Sequence, residues 1–201
     1  MKLAILISGR GSNLDAILRA IEEGRLDAIP TLVLTNRPDA SGLDHARRRA
    51  VPTATLSHKG FPDRQAYDAA LVERLREHGV DTVALAGFDR LVTPVLLGAF
   101  PGRVVNIHPA LLPAFPGLHA QRQALEYGVR ISGVTVHFVD EEMDHGAIIA
   151  QAAVPVLDGD TEESLSERIL AEEHRLYPLA LQRLSRGQLR VVGRRVVGGD
   201  P

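Results

Sequence analysis

The stretch "LISGRGSNL", Leu6 to Leu14, decides how the sequence is interpreted as a fold. It continues the apolar run from Leu3 to Ile7, which has the length of a buried strand, and it ends where a helical pattern opens at Ser12. Gly9 and Gly11 lie between strand and helix, where glycine lets the backbone turn tightly or approach a ligand. A strand, a glycine loop and a helix in this order predict the start of a βαβ unit.

Strand-length apolar runs alternate with helical patterns over the first half of the chain. Strands are predicted at Leu3 to Ile7, Pro30 to Thr35, Thr53 to Leu56, Thr82 to Leu85 and Val104 to His108. Helices are predicted at Asn13 to Glu23, Gly42 to Ala50, Arg64 to His78 and Pro94 to Ala99. This alternation predicts an α/β fold with a mainly parallel, Rossmann-like sheet and helices on both of its faces.

The second half of the sequence changes character. Two apolar segments, Ile131 to Val139 and Ala147 to Val156, have only an acidic turn between them, which favours an antiparallel strand pair over a crossover connection. No linker or low-complexity segment interrupts the pattern, so we expect one domain over residues 1–201.

The chain ends in a long helix and a short tail. The helix is predicted to begin at Asp160 or Thr161 and to run to Ser185, with a kink or break at Pro178. The tail "QLRVVGRRVVGGDP" predicts a short hairpin followed by fraying.

Composition excludes several classes of protein. The formal net charge of −2 leaves no excess of basic residues to neutralise phosphates, so nucleic acid is not an expected partner. Because the chain has no cysteine, disulfides, thiolate nucleophiles and cysteine-ligated zinc are excluded. The N-terminal apolar run is too short for a signal peptide or a membrane span, so we expect a cytoplasmic protein with no membrane partner.

The glycine loop, residues 9–13, admits two functions. The N–H groups at a helix start, aided by the helix dipole, suit a phosphate, but the same loop can be a plain tight turn. A dinucleotide is disfavoured, because Leu14 replaces the third glycine of that fingerprint and "TNR" at 35–37 lacks its acidic residue. The Lys-Ser/Thr pair of a P-loop is also absent. A site for one phosphate, such as that of a phosphosugar, is the function that survives.

Two polar side chains end the fifth predicted strand, within "NIHPALLPAFPGLHA" at 106–120. Asn106 and His108 are two residues apart, so they face one side of the strand, at the carboxyl edge where parallel sheets bind ligands. The prolines that follow stiffen the loop and would hold His108 in one pose. The pair can be a catalytic site or a turn cap, and spacing alone does not decide.

The acidic turn, "VDEEMDHGAI" at 139–148, joins the two strands of the antiparallel pair. It can be a solvated hairpin turn, and it lacks the ligand spacing of a calcium loop. If it folds over the strand tip, one of its carboxylates could pair with His108. That pairing would favour the charged imidazolium, which is a proton donor at neutral pH.

Five segments together resemble one enzyme family. They are "LISGRGSNL", "AGFDRLV", "NIHPALLPAFPGLHA", "GVTVHFVDEEMDHGAII" and "EEHRLYP", and they resemble the phosphoribosylglycinamide formyltransferases, folate-dependent enzymes of purine synthesis. The resemblance covers nearly the whole chain in order. It implies direct transfer of a formyl group from 10-formyltetrahydrofolate, as co-substrate, to the amine of phosphoribosylglycinamide. It implies no metal, and we expect a monomer or homodimer with small-molecule substrates.

The resemblance also implies three sets of site residues. The chemistry would be performed by His108, Asn106 and Asp144. The phosphoribosylglycinamide would be bound by Gly11, Ser12, Asn13, Leu170, Ala171, Glu172 and Glu173. The folate would be bound by Arg64, Asp89, Arg90, Leu91, Val92, Asn106, Asp140, Glu141, Glu142, Met143 and Asp144. Residues 1–100 would then form a phosphate-binding half and residues 101–201 a folate-binding and catalytic half.

Two residues depart from the family pattern, and several assignments have simpler alternatives. Asp89 stands where an apolar residue, commonly methionine, is usual, and His145 stands where glycine is common. Without the resemblance, Arg64 and Arg90 would be interpreted as exposed arginines and Glu173 as a solvated helical residue.

Two other functions also stay open. A metal-dependent hydrolase could use His108, His137 and Asp144 as ligands. A non-catalytic phosphosugar-binding module would need only the glycine loop. His119 and His137 could contact a substrate or pack against neighbouring residues.

Overall fold

A computed structural model describes residues 1–198 of the chain. Two compact units divide it, one at Met1–Asn106 and the other from Ile107 onward. The assignment of one domain with functional halves at 1–100 and 101–201 stays a prediction. Within residues 1–198, no helix is both long and apolar enough to cross a membrane.

The first unit is a parallel α/β structure. Its strands are β1 (Lys2–Ile7), β2 (Ile29–Thr35), β3 (Thr53–Thr55), β4 (Thr82–Leu85) and β5 (Val104–His108), whose last residues enter the second unit. Its helices are α1 (Ser12–Glu22), α2 (Leu43–Arg47), α3 (Arg64–Glu77) and α4 (Pro94–Ala99). The strands lie in the order β3-β2-β1-β4-β5 with parallel pairing throughout, which confirms the predicted mainly parallel sheet.

Burial explains why these segments form strands and helices. The segment from Leu3 to Ile7 is fully buried, as expected for a central strand covered on both faces. On α1, Leu14, Ile17 and Leu18 are buried while Arg19 is exposed, which is the spacing of an amphipathic helix.

The second unit carries the antiparallel strands. Its elements are α5 (Ala120–Tyr127), β6 (Ile131–Phe138), β7 (Ile148–Pro155), α6 (Glu162–Ser185), β8 (Arg190–Val192) and β9 (Arg195–Val197). The strand order is β6-β7-β9-β8; the pairs β6/β7 and β8/β9 are antiparallel, and β7 and β9 are parallel. The predicted strand pair and tail hairpin are therefore confirmed. The last residues of the tail, where fraying was expected, lie outside the described residues.

Two predictions for the second unit were wrong or incomplete. Helix α5 was missed because it is short. His119, directly before it, has a left-handed conformation, and within the described residues no side chain caps the start of the helix. Of the kink or break predicted at Pro178, the break was wrong, since α6 continues to Ser185 as expected, and the kink stays a prediction. Burial of Tyr177 and Leu181 beside Pro178 offsets the loss of one backbone donor. The start of α6 is as predicted, because Thr161 forms a capping box with Ser164.

Candidate active site

The end of β5 carries the two polar residues that the sequence singled out. His108 is buried, with 4% of its surface exposed, and Asn106 is half-buried. Strand alternation points both side chains to one side of β5, while Ile107 faces the other side. A buried imidazole needs hydrogen-bond partners, so the atoms around its two nitrogens show which groups it binds.

Both ring nitrogens of His108 face oxygen atoms. Its Nε2 atom lies 2.8 Å from the Phe115 carbonyl oxygen. Its Nδ1 atom lies 3.3 Å from Oδ2 of Asp144. A carbonyl oxygen and a carboxylate oxygen are both acceptors for a ring N–H. The expected pairing between the acidic turn and His108 is thus confirmed, and Asp144 is the residue that makes it.

Asp144 is held in an unusual conformation. Its φ angle of 52° is in the left-handed region, which Asp adopts more readily than most residues. Its Oδ2 atom also accepts a hydrogen bond of 2.8 Å from the backbone N–H of Gly117. Gly146, two residues after Asp144, packs closely against the Phe138 backbone. A Cβ atom added to Gly146 would lie 1.8 Å from the Phe138 carbonyl oxygen. Backbone packing and a backbone donor therefore fix this carboxylate.

The other acidic residues of the turn have different surroundings. Glu141, Glu142 and Met143 are exposed, as in a solvated turn. Asp140 accepts from the Glu142 N–H at 3.1 Å and lies 2.9 Å from the Nδ1 atom of His145. The interpretation as a solvated turn therefore holds for part of the segment but not for Asp144.

His137 completes the surroundings of Asp144. It is buried on β6, its Nδ1 atom contacts the Phe138 carbonyl oxygen at 2.8 Å, and its Nε2 atom lies 3.8 Å from Oδ1 of Asp144. Burial lowers the pKa of His137, although the Phe138 carbonyl and the Asp144 charge oppose that effect. His137 is therefore a neutral neighbour of the pair. Within residues 1–198, no group of three His, Cys, Asp or Glu side chains has the arrangement of a metal site.

The loop that follows His108 is fixed by a buried polar network. The Thr135 hydroxyl donates to the Ala110 carbonyl at 2.6 Å and accepts from the Leu112 N–H at 3.0 Å. The Gln151 amide donates to the Leu112 carbonyl at 3.0 Å. Residues of β6 and β7 thereby hold the loop whose Phe115 carbonyl contacts His108. Prolines were expected to stiffen this loop, and the network adds a second restraint.

The glycine loop of the first unit forms through backbone packing. Gly11 has a φ of 74° and precedes α1. A Cβ atom on Gly11 would lie 2.9 Å from the Gly42 Cα, and one on Gly42 would lie 2.7 Å from the Gly9 carbonyl oxygen. In the part of the chain that the structure describes, no side chain caps the start of α1. The helix start therefore presents its backbone N–H groups and the positive end of its dipole, as a phosphate site requires.

Asp89 links the end of β1, directly before this loop, to the end of β2. Its Oδ1 atom accepts from the Ser8 hydroxyl and the Asn36 amide, both at 2.8 Å, and its Oδ2 atom pairs with Arg37. Burial alone would raise the pKa of Asp89, but the hydrogen bonds from Asn36, Ser8 and Arg37 outweigh it and hold the pKa below its usual value. The unusual aspartate thus acts as an anchor for the ends of β1 and β2.

The rest of the 89–93 loop is anchored by a buried carboxyl group. Asp68 of α3 is 2% exposed and accepts from the Thr93 N–H at 2.5 Å. Burial raises the pKa of Asp68, with Thr93, Arg64 and Arg90 opposing. Arg64 is exposed, as the simpler alternative expected. Arg90 is half-buried, and its Nε atom is buried without a hydrogen-bond partner among the described residues.

The nucleotide-binding residues expected on α6 differ in exposure. Glu173 is buried, with 7% of its surface exposed, so it is not a solvated helical residue. Ala171 is exposed, Leu170 is half-buried, and half-buried Glu172 pairs with Arg175 at 2.8 Å. Burial of an ionised glutamate costs free energy unless other groups contact it. Its burial therefore sets Glu173 apart from the three residues before it.

Comparison with known proteins settles the family. The family model described as formyl transferase matches residues 1–181. The chain belongs to the formyl transferase family. A curated member, phosphoribosylglycinamide formyltransferase of Escherichia coli (strain K12), is 42% identical over 191 residues, which are 95% of this chain and 90% of that protein.

Two further relatives of this formyl transferase are a purine biosynthetic protein and a glycinamide ribonucleotide transformylase. The trifunctional purine biosynthetic protein adenosine-3 of Drosophila pseudoobscura pseudoobscura is 48% identical over 193 residues, so the matched region covers 95% of this chain but only 14% of that protein. A crystal structure of glycinamide ribonucleotide transformylase 1 from Symbiobacterium toebii matches with a TM-score of 0.98 and 55% identity, covering 100% of this chain and 94% of that one.

Sequence reasoning missed several residues that shape the site of this formyl transferase. Loops are positioned by three polar residues to which the sequence assigned no role: Asp68, Thr135 and Gln151. The sequence pattern alone shows each of them as an ordinary polar residue of a helix or strand. Asp89 could be recognised as unusual from the sequence, because it is charged where the family usually has an apolar residue. His137 was left open, and the structure places it against Asp144.

Proposed function

We propose that this formyl transferase moves the formyl group of 10-formyltetrahydrofolate to the amine of 5-phosphoribosylglycinamide, a step of de novo purine synthesis. The observation that carries the proposal is the buried His108, with one ring nitrogen facing Asp144 at 3.3 Å and the other a carbonyl at 2.8 Å. Relatives named phosphoribosylglycinamide formyltransferase support it, including one at 42% identity over 95% of this chain.

His108 has the surroundings of a proton donor and oxyanion partner. Asp144 stabilises the charged imidazolium, and the Nε2–H that now points to Phe115 would donate to the formyl oxygen instead. Asn106, two residues earlier on β5, would supply a second donor from its amide. Each such donor is worth on the order of 3 kcal/mol where charge develops on an oxygen.

The reaction balances without a covalent enzyme intermediate. The substrate amine forms a bond to the formyl carbon, and the carbonyl electron pair moves to oxygen, where Asn106 and His108 stabilise it. The bond from carbon to the folate nitrogen then breaks as the carbonyl reforms. The proton lost by the amine reaches the folate nitrogen through His108 or a water molecule. The products are the N-formyl nucleotide and tetrahydrofolate.

Binding roles follow the same proposal. The ribosyl phosphate would lie at Gly11, Ser12 and Asn13, since the start of α1 offers N–H groups and a favourable dipole. Glu173 would bind the glycinamide part of the nucleotide, with Leu170, Ala171 and Glu172 beside it. The folate would contact Arg64, the 89–92 segment and the acidic turn.

The decisive test compares the His108→Ala variant with the wild type in an absorbance assay for loss of formyl-folate. Turnover by the wild type should require phosphoribosylglycinamide. We expect His108→Ala to lower kcat about 100-fold or more, in line with loss of an oxyanion donor, while nucleotide Kd stays nearly unchanged. The His78→Ala variant, changed at the end of α3, is the matched control and should keep wild-type activity.

Each alternative predicts a different result in that assay. Equal losses of rate and nucleotide affinity in His108→Ala would reject the catalytic role. Turnover without nucleotide would indicate a deformylase, and binding of the nucleotide without folate affinity would indicate a phosphosugar-binding module. Loss of activity with a chelator, restored by zinc, would indicate the metal-dependent hydrolase.

We further propose a cytoplasmic location and a monomeric or homodimeric state, because de novo purine synthesis uses small, diffusible substrates. Light scattering after size-exclusion chromatography separates the two assembly states, and a larger assembly would contradict both.

A further inference from the structure

The C-terminal hairpin, formed by β8 and β9, is attached to the second unit with little apolar burial. Val191 and Val192 are 48% and 51% exposed. Among the described residues, the ladder between β9 and β7 pairs only Arg195 with Ile148, which is the last residue of the acidic turn and the first of strand β7. Since apolar contact is sparse, polar contacts must contribute much of the attachment.

Arg194, at the bend of this hairpin, contacts His145 of the acidic turn at two points. Its Nη2 atom donates to the His145 carbonyl oxygen at 2.8 Å. Its Nη1 atom lies 2.8 Å from Nε2 and 3.4 Å from Nδ1 of the same imidazole. The two terminal nitrogens of the guanidinium thus contact the backbone and the imidazole of the same residue.

His145 carries this contact across the turn. Its Nδ1 atom lies 2.9 Å from Oδ2 of Asp140, at the beginning of the turn. Arg194, His145 and Asp140 thus form a chain of contacts that joins two residues of the acidic turn to the hairpin. Asp144 lies inside that span, directly before His145.

We propose that Arg194 is a positioning residue that holds the acidic turn so that the Asp144 carboxylate stays against His108. Asp144 has a φ of 52°, and a non-glycine residue in that region persists only where its surroundings hold it. The Arg194 contact with the His145 carbonyl restrains the peptide between His145 and Gly146, one residue beyond Asp144. The effect on catalysis rests on the proposed formyl transfer, whereas the restraint of the turn does not.

The test uses the full-length protein with Arg194→Gln and the matched variant Arg190→Gln, which removes an exposed arginine from the same hairpin. Hydrogen exchange of the backbone amides at 140–146, without substrate, should be faster in Arg194→Gln only. The kcat for formyl transfer should fall about tenfold in that variant, as expected when a reacting group is slightly misplaced. KM for phosphoribosylglycinamide should not change. Arg194→Lys should behave like Arg194→Gln, because an ammonium lacks the planar fork whose two nitrogens contact the imidazole and the carbonyl.

Three results would overturn the proposal. They are unchanged exchange at 140–146 in Arg194→Gln, faster exchange with unchanged kcat, or equal effects in Arg194→Gln and Arg190→Gln. If the wild type shows no formyl transfer, the proposed function fails, and the exchange measurement still decides whether Arg194 restrains the turn.

Discussion

The glycine loop and the acidic turn both carry residues assigned to substrates, but they reach their shapes by different means. In the glycine loop, backbone packs on backbone: Gly11 and Gly42 leave no room for each other's Cβ atoms. In the acidic turn, side chains hold a strained backbone, since Asp144 binds the Gly117 N–H and His145 joins Asp140 to Arg194. The first segment should therefore be sensitive to added volume, and the second to lost polar contacts as well.

The largest loss of stability should come from Gly146→Ala. This variant tests whether the acidic turn also depends on the close approach of the Gly146 backbone to the Phe138 backbone. The added Cβ would lie 1.8 Å from the Phe138 carbonyl oxygen, so the turn or β6 must move. We expect the free energy of unfolding, measured in urea, to fall by about 3 kcal/mol. Gly98→Ala, in α4 with no atom within 4 Å of the new Cβ, is the control and should be neutral or slightly stabilising. Equal losses in both variants would contradict this role for Gly146.

A smaller loss is expected for Gly11→Ala in the glycine loop. The φ of 74° strains any side chain, and the new Cβ would lie 2.9 Å from the Gly42 Cα. We expect about 2 kcal/mol of destabilisation, because strain and overpacking add, together with a higher KM for phosphoribosylglycinamide. Gly9→Ala meets no atom within 4 Å and should change stability by less than about 0.5 kcal/mol. A Gly11 variant as stable as the Gly9 variant would show that backbone packing does not shape this loop.

His137 tests the electrostatics around the acidic turn. Burial lowers its pKa from the ordinary 6.5, so the unfolded chain takes up a proton at a higher pH than the folded protein does. Wild-type stability should therefore decline as pH falls below 6.5, until the folded-state pKa is passed. His137→Gln removes this contribution, and its unfolding free energy should vary less between pH 7.5 and pH 5. The control His78→Gln should keep the wild-type slope; the same slope in both variants would reject the argument.

The smallest effect is expected for Asp89→Asn, beside the glycine loop. Its pKa is held below the ordinary 3.8, so its stabilisation is present above that pH and is lost as pH falls through the folded-state pKa. With 30% of the side chain exposed, the loss at pH 6 should be below about 1 kcal/mol. The difference from wild type should shrink in acid, whereas exposed Asp39→Asn should show none. A difference that persists unchanged at low pH would mean that hydrogen bonding, not charge, carries the effect.

Sequence and structure agree best where local patterns dominate. The bounds of α4 and β5 were predicted to the residue, because a capped, proline-started helix and a short apolar strand are local signals. Helix α5 was missed because it is short and because His119, at its start, takes a left-handed conformation in place of a capping side chain, although Gly128 is an ordinary C-terminal signal. Helix α6 passes through Pro178 because buried contacts outweigh a local penalty that a pattern would treat as a break.

For the candidate site, the sequence by itself determined which segments are assigned to it. The glycine loop, the polar strand tip and the acidic turn each follow from periodicity and residue type, and their joint order identified the family. Only the tertiary structure decided which of the turn's carboxylates meets His108, because four acidic residues lie within 140–144 and their spacing does not rank them. It also decided that Asp89 anchors β1 and β2 and that Arg194 restrains the turn. Those contacts join residues 49 or more positions apart. They escape the sequence for a physical reason: hydrogen bonds and charges depend on distance in space, which no local pattern encodes.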